Sequence, residues 1–324
     1  MTMVAATMIL SGCSNDENER GDNWNGEIRL SSEVTTQTRA NTQATQIQSG
    51  ETVYAWADKA SATPDYIKAW MLTAGGSNDF MGTSQYYPTD GSSLDLYALH
   101  GNFKEATFTE NSTSFPGTIV HSVEADQSGT DMKNYTKSDL LYAVKKDVAR
   151  SSNAVQLSFY HMLSKVEVAL KSGNGNPDLT DATVAIVGTR LKADFTPDKT
   201  KDIADPSVGQ SNCAGMIVIT GSNNDAALIK IRTVTTANLD TNTDYGEAVV
   251  LPKQTISQNA PFIQVTLANS AVFSYKIPDA SGLTLESGKK YTYKITVNQS
   301  GLSVTSTIED WKTGVDKTGD AEMD

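Results

Sequence analysis

The chain is poor in cysteine, histidine, positive charge and long apolar runs, and each shortage excludes a class of protein. Among 324 residues there are two cysteines, Cys13 and Cys213, and three histidines. This set can build neither a disulfide framework nor a zinc site. The net charge of −12 disfavours nucleic-acid binding, because an acidic surface repels phosphate backbones. No stretch reaches the roughly 18 consecutive apolar residues of a membrane-spanning helix.

Motifs for catalysis and cofactor binding are missing as well. The glycines of "SGNGNPD" lack the spacing of a dinucleotide-binding loop, and there is no G-x-S-x-G, H-E-x-x-H or P-loop lysine. The carboxylate pairs Asp178/Asp181 and Asp198/Asp202 fit either a weak calcium site or solvated turns, and turns are favoured. His161 occupies an apolar position that favours a hydrogen-bonded core histidine. We therefore predict no enzyme activity, no metal and no cofactor.

The N-terminal segment has the pattern of a bacterial lipoprotein signal. An apolar run, "VAATMIL", leads into "LSGC", where one bulky aliphatic and two small residues precede Cys13. We predict residues 1–12 as a signal peptide and Cys13 as the lipidated residue; the alternative is an ordinary apolar strand. The first three residues carry no Lys or Arg, which either a native start codon upstream of Met1 or trimming of the chain would explain.

A polar stretch rich in Asn, Asp and Glu follows the cysteine. It has little to bury and is predicted to act as a tether between the lipid and the folded protein. Its acidic residues also resemble the surface-export signal of some Gram-negative lipoproteins, although simple solvation explains them too. Together with the strand described next, this tether makes up a predicted propeptide, residues 13–39.

The next segment combines a strand pattern with a cleavable arginine. Ile28, Leu30 and Val34 have the spacing of one strand face. Arg39 follows in a polar segment with no aliphatic side chain larger than alanine, which suits proteolysis. A cut between Arg39 and Ala40 would remove lipid, tether and strand together; the alternative is an uncut linker.

Alternation of apolar and polar residues dominates the rest of the chain. Segments such as "KKYTYKITVN" and "AVFSYKIP" read as strands, and Gly, Pro, Asn and Asp mark turns between them. "TPDYIKAWMLTA" fits a short helix or a strand. In "NAVQLSFYHMLSKVEVAL" the apolar parity switches near 162–165, which predicts a bulge or a crossing between sheets. We predict an all-β fold of two antiparallel sandwiches, residues 40–150 and 151–324.

Several segments, taken in order, resemble the fimbrillin family, the type V pilins of Gram-negative anaerobes. They are "LSGC" followed by acidic residues, "TQTRA" before "GETVYAWAD", "DLLYAV", "LSFYHMLSKVEVAL" and "LESGKKYTYKITVNQSGLSVTSTIEDWKTG". Each motif is weak alone, but their order covers essentially the whole chain. The resemblance implies two tandem transthyretin-like β-sandwich domains.

The resemblance also implies a mechanism and partners. A precursor acylated at the residue matching Cys13 reaches the outer membrane and cell surface, and an arginine-specific protease cuts after the residue matching Arg39. The N-terminal strand leaves, and a C-terminal segment of another pilin subunit fills the groove. In this chain Ile308, Trp311 and Val315 are candidate donor-strand anchors, and Trp311 fits a core role in its own domain equally well.

Two functions follow as expectations. The first is a structural pilin of a cell-surface fimbria that supports adhesion, polymerised by strand exchange. The second is a surface lipoprotein that does not polymerise, either a tip or anchor subunit or a binder of a glycan or host protein. Position within a fimbria and the receptor are not encoded in any recognisable motif.

Overall fold

The structure is a computed structural model that describes residues 24–34, 47–60, 63–209, 211–219, 227–234, 244–311 and 318–322. Within these ranges nearly all of the regular secondary structure is β-strand, with one short α-helix and one 3-10 turn. The earlier elements are β1 (Leu30–Val34), β2 (Thr52–Lys59), β3 (Thr63–Ala74), β4 (Phe80–Gly82), β5 (Leu94–His100), β6 (Ile119–Ser122), α1 (Lys133–Ser138), β7 (Leu141–Val148) and β8 (Val155–His161). The later elements are β9 (Ser164–Ser172), β10 (Thr183–Thr189), β11 (Lys192–Pro197), a 3-10 turn (Pro206–Val208), β12 (Gly215–Ile219), β13 (Ala227–Lys230), β14 (Arg232–Val234), β15 (Asp244–Val250), β16 (Thr255–Ile256), β17 (Pro261–Thr266), β18 (Val272–Lys276), β19 (Leu283–Thr284), β20 (Lys289–Asn298), β21 (Gly301–Asp310) and β22 (Thr318–Glu322).

Seven strands form one sheet, in the order β1-β8-β7-β5-β2-β3-β4. Neighbours are antiparallel except β1 and β8, which run parallel. The two edges of this sheet meet, because the backbone in and just before β1 also bonds to the segment 78–87, which contains β4. β1 therefore bridges β8 and the segment 78–87 and closes the sheet on itself.

One face of this sheet holds an apolar core. Period-two alternation assigns its members: in β2, Val53 and Ala55 are buried in this core, whereas Trp56 belongs to a second core on the opposite face. The buried members of the first core, here called the closed core, are Ile28, Leu30, Val34, Ile47, Val53, Ala55, Ala57, Ile67, Trp70, Leu72, Ala74, Tyr87, Leu94, Leu96, Ala98, Leu141, Ala143, Val148, Val155, Leu157 and Phe159.

The remaining strands form four further sheets around a larger core. Their orders are β12-β11-β6, β14-β15-β9-β20-β21-β22, β13-β10-β17-β18 and β16-β19. Aromatic residues from both parts of the chain meet in this core, among them Trp56 and Tyr142 from the seven-stranded sheet and Phe195 and Phe262 from later strands. Because β6 pairs with β11, early and late segments also share a sheet.

The all-β prediction is confirmed, and so is the predicted change of sheet near residues 162–165. β8 ends at His161 in the seven-stranded sheet, and β9 begins at Ser164 in the six-stranded sheet. The segment that fitted helix or strand is strand β3. The predicted boundary near residue 150 falls between β7 and β8, which pair within one sheet; the division into two tandem sandwiches stays a prediction.

Candidate strand-exchange site

β1 is held on both sides by backbone hydrogen bonds. On one side it runs parallel to β8, with Leu30 opposite Val155 and Val34 opposite Phe159. On the other side the amide of Ser32 donates to the carbonyl of Asn78 at 2.7 Å. A strand with two bonded edges satisfies its own backbone and that of both neighbours. If β1 left, β8 and the segment 78–87 would each lose their partner.

Side chains along β1 and just before it alternate strictly between core and surface. Ile28, Leu30, Ser32 and Val34 are each at most 4% exposed, and the apolar three belong to the closed core. Glu33, between two of them, is exposed. The predicted face of Ile28, Leu30 and Val34 therefore lies in the core; that this strand is removable stays a proposal.

A tryptophan covers the start of this segment. The Trp24 ring packs edge-on to Tyr87, with centroids 6.0 Å apart, and the Arg150 guanidinium lies 5.0 Å from the Trp24 ring centroid. The Trp24 Nε1 donates to the Glu27 carbonyl at 3.0 Å. The segment that leads into β1 is therefore held in place by noncovalent contacts of the Trp24 side chain.

The predicted processing residues lie outside the described ranges. They are Cys13, Arg39 and Ala40, and the candidate donor-strand anchor Val315 lies outside those ranges too. The described ranges end at Val34 and resume at Ile47, so Arg39 falls within the stretch of chain that connects β1 to Ile47. A cut there would separate β1 from the rest of the chain.

The other two candidate anchors lie in the C-terminal part of the fold. Ile308 is in β21, opposite Tyr291 of β20, and is 44% exposed. Trp311 is buried and stacks on the His161 ring at 3.8 Å with an interplanar angle of 9°. Its backbone amide donates to the Gly288 carbonyl. Trp311 thus packs against its own chain directly after the end of β21.

Around Trp311 lies a buried polar junction that the sequence analysis missed in part. His161 is buried and its Nδ1 lies 2.7 Å from Asp139 Oδ2, which confirms the prediction of a hydrogen-bonded core histidine. The Lys165 Nζ lies 2.8 Å from a Glu167 oxygen and 2.9 Å from a Glu247 oxygen. Burial lowers the pKa of Lys165, but these two carboxylates outweigh burial and hold that pKa well above its usual range. Lys165 is therefore a structural cation here.

In each of the two carboxylate pairs, one aspartate accepts a bond from a backbone amide two residues further along, as turn residues do. Asp178 accepts a bond from the Thr180 amide at 2.9 Å, and Asp198 accepts one from the Thr200 amide at 2.9 Å. Among the described residues, no group of three or more His, Cys, Asp or Glu side chains is arranged to hold a metal. In the same part of the chain, no helix is long and apolar enough to cross a membrane.

Comparisons with known proteins agree with one another. A family model described as fimbrillin-like matches residues 38–311. A Bacteroides uniformis protein named as a candidate fimbrium subunit, Fim1C, is 27% identical over 331 residues, covering 98% of this chain and 97% of the relative.

Solved structures share the fold. Crystal structures of candidate cell adhesion proteins from Bacteroides uniformis and Bacteroides ovatus give TM-scores of 0.57 and 0.60, at 19% and 16% identity. Each covers 89% of this chain, with 98% and 99% of the respective crystal chain aligned. At these identities the likeness carries the fold alone.

Proposed function

The chain belongs to the fimbrillin-like family, and from that premise we propose that it is a structural pilin subunit of a cell-surface fimbria, without enzymatic activity, that supports adhesion. The observation that carries this proposal is the position of β1. It closes the seven-stranded sheet, fills the closed core with alternate side chains, and is joined to the rest of the chain through a connection that contains Arg39.

The proposed maturation begins at a membrane. Cys13 receives a diacylglycerol on its thiol, residues 1–12 are then removed, and the lipoprotein is exported to the outer membrane. An arginine-specific protease then cuts between Arg39 and Ala40. Residues 13–39 leave with β1, so lipid anchor and closing strand are lost in one step.

Loss of β1 would make the first sandwich incomplete. The outer edge of β8 and the segment 78–87 would present unpaired N–H and C=O groups, and the closed core would be open to water. A strand from a neighbouring subunit satisfies both needs, since backbone bonds give affinity and alternate side chains give register. Such contacts run head to tail and do not close, so they build a fibre of tandem sandwiches.

The proposed donor is a C-terminal segment of the neighbour. In this chain Ile308 and Trp311 precede that segment, residues 312–324, and Val315 lies within it; its residues Thr318–Glu322 are β22, which pairs with β21. A second function stays in view because residues 312–324 are polar and acidic. On that alternative the protein is a tip or anchor lipoprotein that keeps its lipid on Cys13.

The test is the N-terminus of the protein recovered from the cell surface. We expect Ala40 as the first residue, and we expect Arg39→Ala to leave an acylated precursor and no fibres. Arg20→Ala is the matched control, because it removes an arginine from the same segment without touching the proposed cut. Normal fibres from the Arg39→Ala variant would contradict the proposal, and a mature protein acylated on Cys13 would favour the alternative.

A further inference from the structure

The space that β1 fills accepts only certain side chains at alternating positions of a strand. We call it the β1 slot: the place between β8 and the segment 78–87 that is occupied by four alternating side chains, Ile28, Leu30, Ser32 and Val34. All four are at most 4% exposed. The slot therefore requires aliphatic, aliphatic, small and aliphatic side chains at every second position. The Ser32 hydroxyl lies 3.4 Å from the Asn78 carbonyl, so a small polar group is accommodated at the third position.

Residues 312–324, "KTGVDKTGDAEMD", do not meet this demand in any register. At odd positions, every set of four alternating residues includes Lys317. At even positions, every set includes Asp316 or Asp320. Reversing the strand direction changes nothing, because the alternating sets stay the same. Each register would bury a charged side chain among residues such as Leu157 and Phe159, where unpaired charge is strongly unfavourable.

A segment with the right pattern exists elsewhere in the chain but is occupied. Leu302, Val304, Ser306 and Ile308 repeat the aliphatic, aliphatic, small, aliphatic order at alternating positions. They belong to β21, which is paired with β20 along all ten of its residues. Extracting β21 would break that ladder and expose the larger core, so β21 supplies a test sequence rather than a donor.

On the basis of the function proposed above, we propose that the β1 slot is filled by a strand of a different subunit and not by residues 312–324 of a second copy. The partner strand presents aliphatic, aliphatic, small and aliphatic side chains at four alternating positions. The chain then accepts a heterologous neighbour at this site and does not extend a fibre of its own copies through it.

The experiment uses the full chain with a site for a sequence-specific protease in place of residues 36–42. After the cut, a fluorescent peptide of residues 24–35 is loaded into the slot, and its displacement is measured by anisotropy. Competitors are the unlabelled 24–35 peptide, a 300–310 peptide, the 312–324 peptide, and a 312–324 peptide carrying Lys317→Leu, Gly319→Ser and Ala321→Val, whose odd positions fit the slot.

We expect the 300–310 peptide and the redesigned peptide to compete within about tenfold of residues 24–35, and the natural 312–324 peptide to be weaker by about a hundredfold or more. The cut chain alone should stay monomeric in size-exclusion chromatography, whereas a chain carrying the three tail substitutions should form a ladder of oligomers. If the natural 312–324 peptide competes as well as residues 24–35, or the unmodified cut chain polymerises, the inference is overturned and strand exchange survives. If residues 24–35 neither leave nor re-enter after the cut, strand exchange itself fails, and the inference with it.

Discussion

Single buried polar side chains decide much of the behaviour of this molecule. His121 is fully buried, and its Nε2 lies 2.9 Å from the Ser138 carbonyl. Burial lowers its pKa from the ordinary value of 6.5 to about 4, and the contact with Ser138 offsets only part of that effect. The folded state therefore holds this imidazole neutral over a range in which the unfolded chain would protonate it.

This difference predicts a loss of stability in acid. A lowered folded pKa means that the unfolded state binds more protons below about pH 6.5, so stability falls as the pH drops towards 4, by about 3 kcal/mol in total. We expect His121→Gln to be less stable at neutral pH but to lose less stability on acidification. Urea unfolding of the original protein and of the His121→Gln variant, each at about pH 7 and about pH 4.5, measures how much stability each loses on acidification. Parallel losses in the two proteins would contradict the assignment to His121.

Among the strands, β1 has the distinctive position. It is the one parallel neighbour in its sheet and bonds to the segment 78–87 at the other edge. Ser31 lies opposite Asp79 in that antiparallel contact, on the face that points away from the four buried positions. A covalent link between these two residues would keep β1 in place after proteolysis.

We therefore expect the double variant Ser31→Cys and Asp79→Cys to form a disulfide and to block assembly after cleavage at Arg39. Antiparallel neighbours are spaced for such a bond. Non-reducing electrophoresis should show the N-terminal fragment retained, and reductant should restore strand exchange. Ser31→Cys alone is the control and should assemble when the neighbouring subunits are present. A cross-linked, cleaved protein that still forms fibres would show that β1 does not need to leave.

The sequence predicts the strand β1 itself better than it predicts which strands pair with β1. The spacing of Ile28, Leu30 and Val34 predicts a strand with one buried face, because alternation is a local property. The parallel pairing with β8 depends on contacts more than 100 residues apart in sequence and leaves no local signal. β3 fitted helix or strand because Pro64 and Asp65 suit the first turn of a helix, whereas Trp70 and Leu72 alternate as in a strand. The register of β3 with β2 is broken by bulges.

The buried ion pairs of Lys165 with Glu167 and Glu247 could not be predicted, for a related reason. Lys165 and Glu167 lie on the parity opposite to Val166 and Val168, which usually means a solvent face. In the fold that face is covered, and Glu247 arrives from another strand to share the lysine. The charged alternation "KVEV" was visible, but its burial depends on how distant segments pack. Resemblance to a family, in contrast, could be found from the sequence because several weak motifs keep their order.

At the scale of the whole molecule, the Gln127 side chain joins an early segment of the chain to a late one. Its amide group makes the backbone hydrogen bonds that a neighbouring strand would make. Gln127 is fully buried; its Oε1 accepts from the Val249 amide at 2.9 Å, and its Nε2 donates to the Val249 carbonyl at 2.8 Å. β14 pairs with β15 only as far as Glu247, so Gln127 continues the ladder where β14 ends. This contact joins the segment after β6 to the six-stranded sheet.

Removing that contact should loosen the whole fold. Gln127→Ala leaves the N–H and C=O groups of Val249 buried without this partner, and we expect a cost of about 2–4 kcal/mol. Urea unfolding and amide exchange at Val249 measure the loss. Gln258→Ala is the control, because its exposed amide makes a single bond to the Pro278 carbonyl and should matter by less than about 0.5 kcal/mol. Equal effects of the two substitutions would contradict this role.

The covalent continuity of β1 with the rest of the chain has a kinetic consequence. While the connection is intact, a competing strand faces an occupant whose effective concentration is of millimolar order, however abundant the competitor is. Once the connection is cut, that advantage ends, and the outcome depends on the relative affinities and the supply of competitors. On the proposed mechanism, the intact peptide bond would keep subunits from associating inside the cell, and its cleavage would allow them to associate outside.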